Sequence, residues 1–253
     1  MSKAIIRNIS PKMADCELTH LERQPIDIAK AVKQHHEYEK ILSDLGYNII
    51  KAAAAPHLPD SVFVEDCVIV LKELAILTHP GAESRRAEVE GLAEVLKPYR
   101  ELHYINPPSI IDGGDVLVIG KQIWVGLSNR SNQSAINQMQ KITTPHHYTV
   151  RGVNVTGCLH LKSAVTQVAK KTVLLNPEWI DANIFKDFQI IETHPDEPHA
   201  ANALYLKEAV LFPKAYPLTT KKLIDAGIKI ILLDNSEVIK AEGALTCCSV
   251  IFD

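Results

Sequence analysis

Residues able to support thiol chemistry recur along this 253-residue chain. They are Asp66, the run Asp112-Gly113-Gly114-Asp115, His160, Asn202 and Cys247. Cys247 stands where a Glu242-Gly243 turn leads into the apolar run ending at Phe252. Strand residues face alternate sides, so Cys247 and Cys248 are expected in different environments, one open to a cleft and one packed inside. A thiol becomes a nucleophile when a base and an orienting group reach it. Each residue taken alone has an ordinary explanation. Free cysteine is usually buried, Asp-Gly-Gly-Asp is turn chemistry, and His160 is one of 11 histidines. Two arginines extend the pattern. Arg85 begins a helical stretch, where a cation opposes the macrodipole, and Arg130 sits in a similar polar loop. Together they suit a substrate carboxylate. Aspartates around the thiol suit a cation, and a guanidinium amino acid satisfies both demands.

These residues are brought together by a repeat. The chain reads as strand, turn, strand, helix, strand, with comparable positions at Cys67, Val116, Ala164, Ala203 and Cys248. The helices are expected over 83–96, 132–141, 179–188 and 219–226. The fifth copy stops at Asp253. Its missing parts lie at the N-terminus, as a strand over 4–7, a helix over 27–45 stopped by Gly46, and a strand over 47–52. One unit cannot cover its own apolar face, so five should pack around an axis with the termini closing the ring. The residues before each first strand then converge on that axis. No linker divides the chain, and residues 1–253 read as one domain.

Composition narrows the partners. A net charge of −3, from 27 basic and 30 acidic side chains, provides no basic stripe for nucleic acid. No uncharged apolar run is long enough for a membrane helix, and the N-terminus is no signal peptide. Five scattered cysteines without paired spacing fit reduced thiols in the cytoplasm and no structural metal site.

The stretches LPDSVFVED, HPGAESRR, DGGDVL, VGLSNRSNQ, LHLKS, AANALYL and LTCCSV, in this order, resemble the dimethylarginine dimethylaminohydrolase family across nearly the whole chain. The resemblance implies the pentein fold, a five-bladed α/β propeller. It implies Cys247 as nucleophile, His160 as general acid/base and Asp112 as the group that orients the histidine, where several bacterial relatives carry Glu. It implies Asp66 on the guanidinium, Asp60 on the α-amino group, and Arg85 with Arg130 on the α-carboxylate. Main-chain carbonyls near Leu18 and Ala241 would complete the α-amino site, and Glu65 is a further candidate contact.

The implied reaction converts an N-methylated arginine to citrulline and a methylamine through a covalent thiouronium on Cys247. No cofactor is called for, and whether zinc inhibits by binding Cys247 with His160, both zinc-ligand types, is left open. The rivals are an arginine deiminase, an amidinotransferase, both as families longer than this chain, and a non-catalytic scaffold of the same fold. The expected partner is a small-molecule substrate, with a homodimer left open. Residues 10–24, including Leu18, read either as a lid or as an ordinary solvated connection.

Overall fold

The structure, a computed structural model, describes residues 2–253. Among the described residues, fifteen strands form five sheets of three. The first sheet contains β1 (Lys3–Ile6), β2 (Asn48–Lys51) and, from the far end of the chain, β15 (Val250–Phe252). The others are β3–β5 (Val68–Val70, Leu74–Leu77, Glu101–Tyr104) and β6–β8 (Val116–Ile119, Gln122–Leu127, Thr149–Asn154). β9–β11 (Val165–Ala169, Thr172–Leu175, Gln189–Glu192) and β12–β14 (Leu204–Tyr205, Val210–Pro213, Ile230–Leu233) complete the set. Every sheet has one pairing pattern: first strand antiparallel to the second, second parallel to the third.

The apolar pattern explains the order within a sheet. Central strands β4 (LAIL), β10 (TVLL) and β13 (VLFP) are buried at every position. A strand covered on both faces reads as a continuous apolar run. The third strands β2 and β5 have exposed ends and half-buried middles, as outer strands should. The five first strands all line one central cavity, through residues such as Val68, Val116, Thr166, Leu204 and Val250. They therefore surround a common axis. β15 pairs with β1 from Lys3↔Phe252 to Ile5↔Val250, so the chain ends close the ring as the repeat predicts.

Helices fill the connections. α1 (Ile28–Asp44) is capped by Asp27, whose side chain accepts the Lys30 N–H, and buries Ala31, His35, Tyr38 and Leu42 on one face. Gly46, at φ 81°, turns the chain into β2, a conformation glycine adopts without steric cost. α2 is shorter than the sequence predicts. Residues Glu83–Glu88 are 3-10 and only Glu90–Leu96 are α-helical. Arg85 and Glu88 turn inward there, and the tighter turn accommodates them. α3 (Gln133–Thr143) is capped by Asn132. In the third unit the expected helix over 179–188 is only a 3-10 turn, Ala182–Phe185. A short α4 (Leu161–Ala164) follows His160. α5 (Pro217–Asp225) starts with Pro at its first position, and α6 (Ser236–Ile239) leads toward the cysteine turn.

Candidate active site

Four of the five first strands, all but β12, are entered through a single helical turn with a candidate residue on it or just before it. Asp66 lies on the 3-10 turn Val64–Cys67, and Asp112 immediately precedes the turn Gly113–Asp115. His160 immediately precedes α4, and Cys247 lies on the turn Thr246–Cys248. Cys247 thus precedes the strand, which starts at Val250, and strand alternation does not separate it from Cys248. Both cysteines are buried, 8% and 3% exposed. Tyr38 of α1 fixes this turn from behind, its hydroxyl bonding Leu245 O at 3.0 Å and Ser249 Oγ at 2.7 Å. Asn202 fixes it from the side, accepting Thr246 N–H at 3.2 Å and donating to Thr246 Oγ1 at 3.0 Å.

One narrow cavity is lined by Glu17, Asp60, Asp66, Arg85, Arg130, His160, Ala241, Glu242 and Cys247, among others. Seven of the ten residues singled out from the sequence are in that lining. Asp112 is buried behind it, with Oδ2 3.1 Å from His160 Nε2. Arg130 Nη1 lies 3.8 Å from the same carboxylate oxygen. Leu18 packs its half-buried side chain on the core. Glu65 is turned the other way. Its carboxylate accepts from Lys162 Nζ at 2.5 Å and Thr246 Oγ1 at 2.7 Å, and it lines the central cavity among the first strands. Neighbours on a tight turn point apart, so Glu65 and Asp66 serve opposite ends of the axis, as do Thr246 and Cys247.

The glycines in Asp112-Gly113-Gly114-Asp115 permit close approach. A Cβ on Gly114 would lie 2.5 Å from His160 Nδ1 and 2.8 Å from Asp66 Oδ1. Without one, the Gly114 N–H donates to Asp66 Oδ1 at 2.9 Å. Asp115, whose separate role the sequence does not reveal, accepts from Ser128 Oγ, Ser131 Oγ and the Leu161 N–H. It thereby ties the loop bearing Arg130 to the residue after His160.

Burial and charge set the protonation states. Burial disfavours a charged His160, but Asp66, Asp112 and Asp115 outweigh it and raise its pKa to about 9. At neutral pH the ring is an imidazolium and Nε2–H donates to Asp112. Burial likewise works against ionised Asp66, yet Arg85, His160 and the Gly114 N–H bring its pKa down to about 2. Burial lifts Asp60 to about 6 against the pull of Arg85 and the Glu17 N–H. Burial, followed by the charges of Glu65 and Asp66, pushes the Cys247 thiol well above its ordinary value. The nucleophile candidate rests as a neutral thiol.

Arg85 differs from a free carboxylate clamp. Nη1 donates to Asp66, Nε and Nη2 grip the buried Glu88 carboxylate, and Nη2 also reaches the carbonyls of Asp60 and Phe63. A guanidinium has five N–H groups, and these partners leave one on Nη1, enough for a single ligand contact. Arg130 is less committed, donating to Thr19 Oγ1 at 3.0 Å.

Asp66, Asp112 and His160 each offer a donor within 4.8 Å of the others, the one three-donor set of metal-binding type among the described residues. Cys247 is not in it. The Asp66 and Asp112 carboxylates already accept the hydrogen bonds described above and one from the Gly81 N–H to Asp112.

The segment expected as a loop divides into two. Ser10, Met13 and Cys16 are buried, so its first half is anchored in the core. Residues 17–21 lie over the site. Glu17 N–H donates to Asp60 Oδ2, Ser84 Oγ to Glu17 Oε1, and the N–H groups of Thr19, His20 and Leu21 to Glu242. The cavity is about 20 Å³, room for about one water molecule. Glu17 is the residue of this segment that borders the cavity.

The chain matches the family model described as "N,N dimethylarginine dimethylhydrolase, eukaryotic" over residues 17–251. It is 37% identical over 250 residues to N(G),N(G)-dimethylarginine dimethylaminohydrolase of Streptomyces coelicolor, covering 98% of this chain and 96% of that one. Against the enzyme of the same name from Pseudomonas aeruginosa the identity is 34% over 228 residues, covering 89% and 90%. A solved structure of a Pseudomonas aeruginosa enzyme mutant complexed with citrulline superposes with a TM-score of 0.95 at 33% identity, covering both chains completely.

Proposed function

Because the chain belongs to the dimethylarginine dimethylaminohydrolase family and is a hydrolase of pentein fold, we propose that it converts asymmetric dimethylarginine and monomethylarginine to citrulline and dimethylamine or methylamine. The observation that carries this reading is the shared cavity. A thiol, an imidazolium held by a buried carboxylate, the carboxylates of Asp60 and Asp66 and two arginines all border it.

Asp66, ionised at neutral pH, takes the guanidinium end of the substrate. Asp60 takes the α-ammonium with the main-chain carbonyls of Leu18 and Ala241. Arg130 takes the α-carboxylate, helped by the one uncommitted N–H of Arg85. Bound guanidinium brings positive charge beside Cys247 and offsets the burial and carboxylate charges that hold its proton. The thiol loses its proton to solvent as the cation binds, and the thiolate Sγ bonds to the guanidinium carbon to give a tetrahedral adduct. Imidazolium His160 gives its proton to the departing methylated amine as the C–N bond breaks, leaving a thiouronium on Cys247. Neutral His160 then accepts a proton from water as its oxygen adds to the same carbon. Collapse to citrulline breaks the C–S bond and restores the thiol site. Glu65 belongs to the structural network beneath Cys247 in this reading, not to the substrate contacts.

The experiment is citrulline release from asymmetric dimethylarginine, monomethylarginine, symmetric dimethylarginine and arginine by wild type and Cys247→Ser. Turnover of the first two, absent in Cys247→Ser, is expected. Preference for arginine would make the enzyme a deiminase with the same site. No turnover of any guanidine would overturn the reading in favour of a binding scaffold.

A further inference from the structure

Glu242 has no part in the chemistry above, yet it joins the two chain segments expected to supply main-chain acceptors for the α-ammonium. Its carboxylate accepts three consecutive backbone N–H groups: Thr19 at 3.0 Å, His20 at 2.5 Å and Leu21 at 2.6 Å. Convergent N–H groups form an anion-binding concavity, and here the anion is a side chain of the same protein. Glu242 holds φ 55°, in the left-handed region. That conformation is uncommon for a residue with a Cβ, and here the residue accepts three N–H groups that glycine could not.

The geometry of the peptide unit turns this contact into a constraint. The only cis peptide among the described residues is Pro107-Pro108. In a trans peptide the C=O of one residue and the N–H of the next point in opposite directions. Thr19 N–H aimed at Glu242 therefore aims the Leu18 carbonyl away from it. The Glu242 N–H donates to Ile239 O at 3.0 Å, which in the same way fixes the direction of the Ala241 carbonyl. Both carbonyls belong to peptides in which residue 242 takes part, one through its side chain and one through its backbone. Asp60, the remaining group of this subsite, is tied to the same segment through the Glu17 N–H at 3.1 Å.

We propose that Glu242 is a positioning residue that sets the α-ammonium subsite by latching residues 19–21 and thereby orienting the Leu18 and Ala241 carbonyls. The inference rests on the functional reading above. It makes Glu242 a determinant of selectivity for α-amino acids over other guanidines, through a residue that need not touch the substrate.

The test compares wild type, Glu242→Gln and Glu242→Ala on asymmetric dimethylarginine and on its counterpart lacking only the α-amino group. For Glu242→Ala, KM for the amino acid should rise by about tenfold or more, the worth of a charged hydrogen bond, with kcat within about twofold. The kcat/KM for the des-amino compound, or its inhibition constant where turnover is slow, should be the same in all three proteins. Glu242→Gln, which keeps one oxygen, should fall between and serves if the alanine variant misfolds. Equal losses on both compounds would overturn the proposal in favour of a general role in the fold, and so would no loss on either. Hydrogen exchange at the amides of residues 19–21, faster in Glu242→Ala, reads the latch without turnover. A wild type that processes neither compound would sink the functional reading, and unchanged exchange would separately sink the latch.

Discussion

Arg85 Nη1 donates to Asp66 Oδ2 at 2.5 Å, and both side chains are buried. Two groups expected from the sequence to hold opposite ends of a ligand thus hold each other. Glu88 supplies the remaining charge, gripping Arg85 at 2.8 Å. Removing the cation leaves two buried carboxylates without their arginine partner. Arg85→Ala is therefore expected to lower unfolding free energy by about 3–5 kcal/mol, measured by urea denaturation at neutral pH. Arg85→Lys should recover only part of this, because an ammonium cannot reproduce the planar fork. The pH dependence has a definite sign. Asp66 is depressed from 3.8 to about 2, so its contribution is present above pH about 4 and lost as pH falls through about 2.

His160 titrates in the opposite sense. Its folded pKa is raised to about 9, so its contribution to stability is full below about 6.5 and lost as pH rises through about 9. Catalysis that needs the imidazolium should decline on the same alkaline limb. Asp112→Asn removes the charge at 3.1 Å. Its kcat is expected to fall about 10²-fold and its alkaline limb to move toward neutrality. A pH–rate profile checks both, and an unmoved limb would remove His160 from the role of acid.

Asp60 should govern the acid side of substrate binding. Its carboxyl is raised to about 6 by burial, and when protonated it cannot pair with an ammonium. KM for an α-amino substrate is expected to fall as pH rises through about 6. Asp60→Asn should have a high KM with no such inflection, which steady-state kinetics between pH 5 and 8 would reveal (the range bracketing the shift, about one unit or more on each side).

Gly114→Ala is the smallest change that should disable the site. The added methyl would sit 2.5 Å from His160 Nδ1, forcing the ring or the backbone to shift. Displacement of a catalytic group by about 1 Å costs about 10²-fold in rate. A fall of that order in kcat, with the circular dichroism spectrum unchanged, is the expected result. Wild-type kcat in this variant would mean that His160 has freedom the packing does not suggest.

What the sequence determined by itself was the periodic part. Continuous apolar runs specify central strands, turn residues separate them, and the recurrence of strand, strand, helix, strand leaves the fifth unit completed by the N-terminus. Those are local signals repeated often enough to be read. The positions of Asp66, Asp112, His160 and Cys247 ahead of their strands followed from the same period, and so did their meeting on one axis.

Tertiary structure decided which way each side chain faces. Glu65 and Asp66 are adjacent in sequence and serve opposite ends of the axis, because a one-turn 3-10 segment points neighbours apart and Lys162, 97 positions away, captures Glu65. Arg85 was legible as an unusual cation but not as the partner of Asp66 and Glu88. Tyr38 bracing the cysteine turn and Glu242 gripping residues 19–21 join positions more than 200 residues apart. Such pairings depend on closure of the ring, which brings the first and last segments of the chain together. No local pattern encodes the distance between two side chains that meet only when that closure is made.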